Sequence, residues 1–181
     1  PYTNLAVSLS ILDRRAEAEE AMREAYRHAG DSPVDIAVVR GNHAGLGARW
    51  HPEASIRMAA EAEPVMRAHG EVYGLTATVC GTLKAFELLR RLEDLARRSG
   101  ECAELATRAG QIPTAVEARA EEAEAWLNLG DHRRASALVT TALRDWRAIA
   151  DRMSTDHVGV ALADLEAELE RQTAAIAAED V

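Results

Sequence analysis

The sequence predicts an all-α protein, a stack of seven to nine antiparallel helices, on three observations. Of 181 residues 37 are alanine, the best helix former, while glycine (11) and proline (5) are sparse. Apolar residues recur three and four apart along most of the chain, the spacing of one helix face. Aromatic residues are only 4%, and no stretch shows the alternation of β-branched and aromatic residues that marks a strand. The length suits one ordinary domain, so residues 1–181 are read as a single helical-repeat domain.

Each element has its own signal. Leu5, Leu9 and Leu12 mark an opening helix that ends at Asp13-Arg14-Arg15. Ala18, Ala21, Met22, Ala25 and Ala29 mark the next, ended by Gly30. Ser32-Pro33 restarts the chain, Ser32 as N-cap and Pro33 as first helical residue, with Asp35 favourable in the first turn. This third helix runs from about Val34 to Arg49, and Trp50-His51-Pro52 makes the corner into a fourth, about Glu53 to His69. Pro64 inside it is expected to bend or split it. After Gly70 a long apolar stripe from Val72 to about Arg98 fits one helix, or two with a break near Gly81–Lys84. Ser99-Gly100 is expected to end it, leaving a short helix over about Glu101–Ala109 before the turn Gly110–Pro113. Helices over about Thr114–Leu129 and His132–Ala150 meet at Gly130-Asp131, and a last helix spans about Ser154–Ala177.

Composition also sets bounds. The net charge of −9 disfavours a broad nucleic-acid surface, and no apolar run is long enough to span a membrane. The chain begins at Pro1 without a leader-like segment, and it is read as part of a longer protein. Two cysteines, Cys80 and Cys102, are too few for a disulfide framework. They are read as reduced, and the compartment as cytoplasmic.

The stretch Ala123-Glu-Ala-Trp126-Leu-Asn-Leu-Gly130-Asp131-His132-Arg-Arg-Ala135-Ser-Ala-Leu-Val139-Thr-Thr-Ala142-Leu143 resembles a tetratricopeptide repeat (TPR), a helix–turn–helix unit of about 34 residues. Small residues sit where its two helices cross, here Ala123, Ala135 and Ala142, with Trp126 and Val139 between them. A weaker match opens the chain with Leu5, Leu9, Ala18, Met22 and Ala25, and a poorer one places Ala54 and Met58. The resemblance implies a right-handed superhelical solenoid; a generic helical bundle is the alternative. The last helix carries Val158, Leu162, Leu165, Leu169 and Ile176 in a narrow stripe, so it caps the stack or forms a dimer seam. Capping is preferred because it needs only one chain.

No motif points to catalysis. His43 and His51 are eight apart, not one turn as a metal pair would be, and no metal or cofactor is expected. No phosphate-binding glycine loop and no nucleophile elbow is present. Acidic groups such as Glu117, Glu121, Glu122 and Glu124 read as a solvated face, and the arginine doublets as surface ion pairs.

What the resemblance implies is binding: first helices of successive pairs line a concave groove for a protein or peptide partner. Mapped onto this chain, that groove includes Thr3, Val7 and Ser10, then Val39, His43 and Leu46 with Arg40 at the rim, then Ala120, Glu124, Leu127 and Asn128. The Lys/Asn/Arg clamp with which some members hold a terminal carboxylate is missing at these positions. A different class of function is the alternative. Arginine-rich, lysine-poor helical repeats also resemble the ligand-sensing or regulatory segments of larger bacterial transcriptional regulators and signalling ATPases. An enzyme is the second alternative.

Overall fold

The computed structural model describes residues 1–149 and 157–179, and among these all regular structure is helical. The chain forms two compact units, Pro1–Arg90 and Arg91–Val181. The first contains α1 (Tyr2–Ile11), α2 (Arg15–Ala29), α3 (Pro33–Gly47), α4 (Pro52–Ala68), α5 (Val72–Gly81) and α6 (Leu83–Leu88). The second contains α7 (Leu92–Arg108), α8 (Ile112–Asn128), α9 (His132–Arg147) and α10 (His157–Glu179). Within each unit, helices that follow one another through tight turns pack side by side, α1 on α2, α3 on α4, α7 on α8 and α8 on α9. They therefore run antiparallel.

One helix ending recurs and sets these turns. Asp13, Gly70, Gly110 and Gly130 take positive φ, and each donates its N–H three residues back, to Ser10, Arg67, Thr107 and Leu127. The following residue donates five back: Arg14 to Leu9, Glu71 to Met66, Gln111 to Ala106 and Asp131 to Trp126, all at 2.8–2.9 Å. This pair of bonds satisfies carbonyls that a helix end leaves open and reverses the chain in three residues. Arg90 takes the same conformation, φ 55°, without glycine's freedom. Positive-φ residues fall at 13, 30, 70 and 90 in the first unit and at 110 and 130 in the second.

Helix starts follow the sequence more simply. Ser32 Oγ accepts the Asp35 N–H at 3.3 Å with Pro33 in the first turn, and Asp131 Oδ1 accepts that of Arg134 at 3.1 Å. Elsewhere the structure corrects the reading. The 72–98 stripe breaks at Thr82, within the Gly81–Lys84 interval that the two-helix reading gave, and a second time, not expected, at Leu89–Arg91. Ser99-Gly100 does not end a helix: α7 runs through it, because Gly100 lies against α8, where an added Cβ would stand 3.1 Å from the Glu122 carboxylate. Pro64 does not split α4, since burial of Ala59, Ala62 and Met66 on both sides of it outweighs one lost hydrogen bond. Neither Cys80 nor Cys102 is a free thiol, against the reading of both as reduced. That correction removes the support they lent to a cytoplasmic location.

Small residues hold each core together. In the first unit Ala6, Leu9, Ala18, Ala21, Met22, Ala25 and Val39 cluster between α1, α2 and α3. Where α3 crosses α5 the backbones nearly touch: a Cβ on Gly45 would lie 3.3 Å from Gly81 Cα, and one on Gly41 would overlap Thr78 Oγ1 at 1.9 Å. In the second unit Ala123, Leu127, Ala135, Val139, Ala142, Leu143 and Trp146 form the core of α8 and α9. Leu162 and Leu169 of α10 are buried in the same cluster, with Leu165 partly buried beside them. Val158 and Ile176, the ends of the predicted stripe, lie outside the side chains described.

Two substitution experiments test this packing. Gly41→Ala should destabilise the protein by roughly 1–3 kcal/mol, because fully buried Thr78 cannot withdraw. Gly47→Ala, with nothing within 4 Å of the new methyl, should be neutral or stabilising by up to about 1 kcal/mol; urea denaturation distinguishes the two. Ala135→Leu should overpack the α8–α9 crossing at a cost of about 1–3 kcal/mol in the same assay. A melting curve matching wild type would show that Ala135 is not at a tight crossing.

Candidate binding groove

One cavity lies between α8 and α10 in the second unit. Its volume is about 720 Å³. From α8 it takes Glu117, Ala120, Glu121, Glu124, Leu127 and Asn128, and from α10 Ala161, Asp164, Leu165, Glu168 and Gln172. Both sets recur at three- and four-residue steps, so each helix contributes one continuous stripe. The stripe on α10 is turned toward α8 because Leu162 and Leu169, one residue out of phase with Ala161 and Glu168, are buried against α8 and α9. Ala120, Leu127, Ala161 and Leu165 give the groove an apolar floor, and the carboxylates stand on both walls.

The described carboxylate interactions are local. Glu168 accepts Gln172 Nε2 at 2.6 Å and Arg171 Nε at 3.1 Å. These bonds, that of Gln172 first, hold its carboxyl below the ordinary glutamate range. On the other side of α10 a second cavity of about 450 Å³ is lined by Ser136, Val139, Thr140, Glu166, Leu169, Glu170 and Ala174.

The residues mapped to a groove from sequence fall into both units. Glu124 and Asn128, together with Ala120 and Leu127, line the 720 Å³ cavity. Ser10 and Leu46 line a smaller one of about 290 Å³ in the first unit, beside Ile11, Trp50 and Lys84. Val7 is exposed on α1. Arg40 and His43 are engaged by neighbouring helices instead. Arg40 pairs with Glu61 of α4 at 3.0 Å, while His43 lies 3.1 Å from Glu19 and 3.5 Å from the Tyr26 hydroxyl, both on α2. Burial pushes the Tyr26 phenol above its ordinary value, opposed by Arg40. His51 meets Arg15, whose guanidinium also stacks on Trp50 at 5.2 Å. Among the described residues, no three His, Cys, Asp or Glu side chains converge as metal ligands would. None of the described helices is long and apolar enough to cross a membrane.

Sequence reasoning missed the α10 wall. Leu165 was legible as part of an apolar stripe, while Asp164 and Glu168 lie beside that stripe and carried no signal of their own. The available signal is the matched spacing of Glu117, Ala120, Glu121 and Glu124 on α8 with Ala161, Asp164, Leu165 and Glu168 on α10. Each places an alanine beside carboxylates one turn apart. No family model matches the chain, and no curated protein is similar to it.

A half-buried carboxyl lies on the opposite side of α8. Glu122 faces Gly100 and accepts the Trp126 indole N–H at 3.3 Å, with Arg134 stacked on that ring at 4.5 Å. Burial raises its pKa, the nearby Glu104 adding to the effect and the Trp126 bond opposing it. Below the ordinary carboxylate range Glu122 is protonated in both the folded and unfolded chain and costs nothing. As pH rises through that range toward the raised folded value, the unfolded chain ionises first and stability falls. Glu122→Gln, which keeps an acceptor for Trp126, should therefore raise the melting temperature at neutral pH. Near about pH 4 it should do much less. Equal effects at both pH values would show that ionisation of Glu122 costs the fold nothing.

Proposed function

We propose that this protein is a binding module for a protein or peptide segment, and that the α8–α10 groove is its binding surface. The observation that carries the reading is the groove's make-up: an apolar floor between polar walls, in a cavity of about 720 Å³, the form common to sites that take a ligand by apolar burial and orient it by a few polar groups. Glu124 and Asn128, mapped from sequence, are among its lining. The described lining residues are carboxylates, amides and apolar side chains, a make-up suited to binding. Within this reading the fold is a TPR-like solenoid. Burial of Leu162 and Leu169 inside the second unit supports α10 as a cap rather than a dimer seam.

The test is selection of a random peptide library against the intact chain. Peptides that bind should lose binding to Ala161→Trp, which fills the groove from an exposed position on α10. They should keep it with Ser136→Trp, which fills the second cavity. Both variants should melt within a few degrees of wild type. Selected peptides indifferent to Ala161→Trp would remove the groove as the binding surface.

A further inference from the structure

We infer that the cavity of about 290 Å³ in the first unit is a binding site for a small monocarboxylate, one carried on a compact aromatic or branched aliphatic body. The last turn of α1 contributes Ser10 and Ile11, the end of α3 contributes Leu46, Arg49 and Trp50, and α6 contributes Lys84. Ser10 and Leu46 are among the residues mapped to a groove from sequence. The site shares no residue with the α8–α10 groove, so the two readings stand or fall separately.

The anion follows from Arg49. Its side chain is exposed and forms no ion pair among the described residues. The cations around it are engaged: Lys84 is held by Glu87 at 2.7 Å, and Arg15 meets His51 and stacks on Trp50. A lone guanidinium beside a matched lysine pair leaves one positive charge, which a monoanion neutralises and a phosphate dianion exceeds. Nor is that charge taken up by the helix ends, whose open carbonyls attract cations. The Ser10 carbonyl accepts the Asp13 N–H, that of Leu9 accepts Arg14, and that of Gly47 accepts Trp50 and His51. The forked donors of a guanidinium match the two oxygens of a carboxylate, and the Ser10 hydroxyl lines the same cavity.

The body follows from the apolar lining. Ile11, Leu46 and Trp50 present surface that a bare inorganic anion leaves in water and an apolar body covers. Trp50 also favours a flat ring against it. The volume stands at the lower end for ligand pockets, which run from roughly 300 Å³ upward. It therefore suits one ring or a short branched chain, not a lipid tail or a nucleotide.

Such a carboxylate is borne by a free organic acid or by the last residue of a peptide, and the experiment separates them. The intact chain is titrated with phenylacetate, indoleacetate, isocaproate and an acetylated tripeptide ending in phenylalanine, each beside its amide. The indole N–H resonances of the three tryptophans are followed. At least one carboxylate should shift the resonance that Trp50→Phe removes, and its amide should bind about ten-fold more weakly. Arg49→Gln should weaken binding by about the same factor. Arg57→Gln removes an equally exposed charge of α4, unpaired among the described residues and outside the lining; it should change affinity by less than about two-fold. Unchanged melting of both variants confirms the fold. Tightest binding by a free acid, or by the tripeptide, supports the site and identifies the source. The inference is overturned if no carboxylate moves the Trp50 resonance, if acid and amide bind alike, or if Arg49→Gln binds as well as wild type. It is also overturned if Arg57→Gln weakens binding as much as Arg49→Gln, because net charge alone would then account for the effect.

Discussion

Close approach of helix backbones is the constraint on which the rest of this structure depends. Ala6, Ala44, Ala96, Ala106, Ala115, Ala123, Ala135 and Ala142 are fully buried, so at these crossings a methyl group is the whole side chain between two helices. The gain is dense packing with few large residues and little side-chain entropy lost. The cost is intolerance: at Gly41 and Gly45 in α3 even a methyl meets Thr78 or the Gly81 backbone. Larger residues fill what remains, such as Met22 and Met66 in the first unit and Trp146 and Leu162 in the second.

Such crossings need neighbouring helices to meet in register, and the turns supply it. A three-residue reversal that satisfies its own carbonyls leaves little freedom in where the next helix starts. At Asp13, Gly70, Gly110 and Gly130 the chain closes with the same two backbone bonds. The helices between them are correspondingly uniform: α7 and α8 are each 17 residues long. Ion pairs are mostly local, three or four residues apart on exposed faces, and add little. Arg119 with Asp145 is an exception, joining α8 to α9 at 2.9 Å.

The groove follows from how α10 is seated. Leu162, Leu165 and Leu169 fix the rotation of α10 about its axis by packing on the α8–α9 cluster. With that rotation set, helical geometry brings Ala161, Asp164 and Glu168 opposite the Glu117–Asn128 stripe of α8. Two faces that each look like solvated helix surface become the walls of one cavity. Its acidity is thus a property of the pairing rather than of either helix.

Much of this was readable along the chain. Helix content, the Ser32-Pro33 start, the glycine-closed turns at 70, 110 and 130, and the buried alanines of α8 and α9 all follow from local propensity, capping and periodicity, which act within a few residues. Other features were not readable, for one physical reason: they are settled by residues distant in sequence. Gly100 continues a helix because Glu122 of α8 lies against it. Pro64 is carried through α4 by burial on neighbouring helices. Arg90 makes a turn with no glycine to announce it, and two cysteines that read as reduced are not free thiols. The 3.6-residue period by itself determined which face of each helix would be apolar, because every residue's phase is set by its near neighbours. Only the tertiary structure decided which of the polar faces remain in solvent and which, as on α8 and α10, close on one another, because that depends on contacts some forty residues apart that no local pattern encodes.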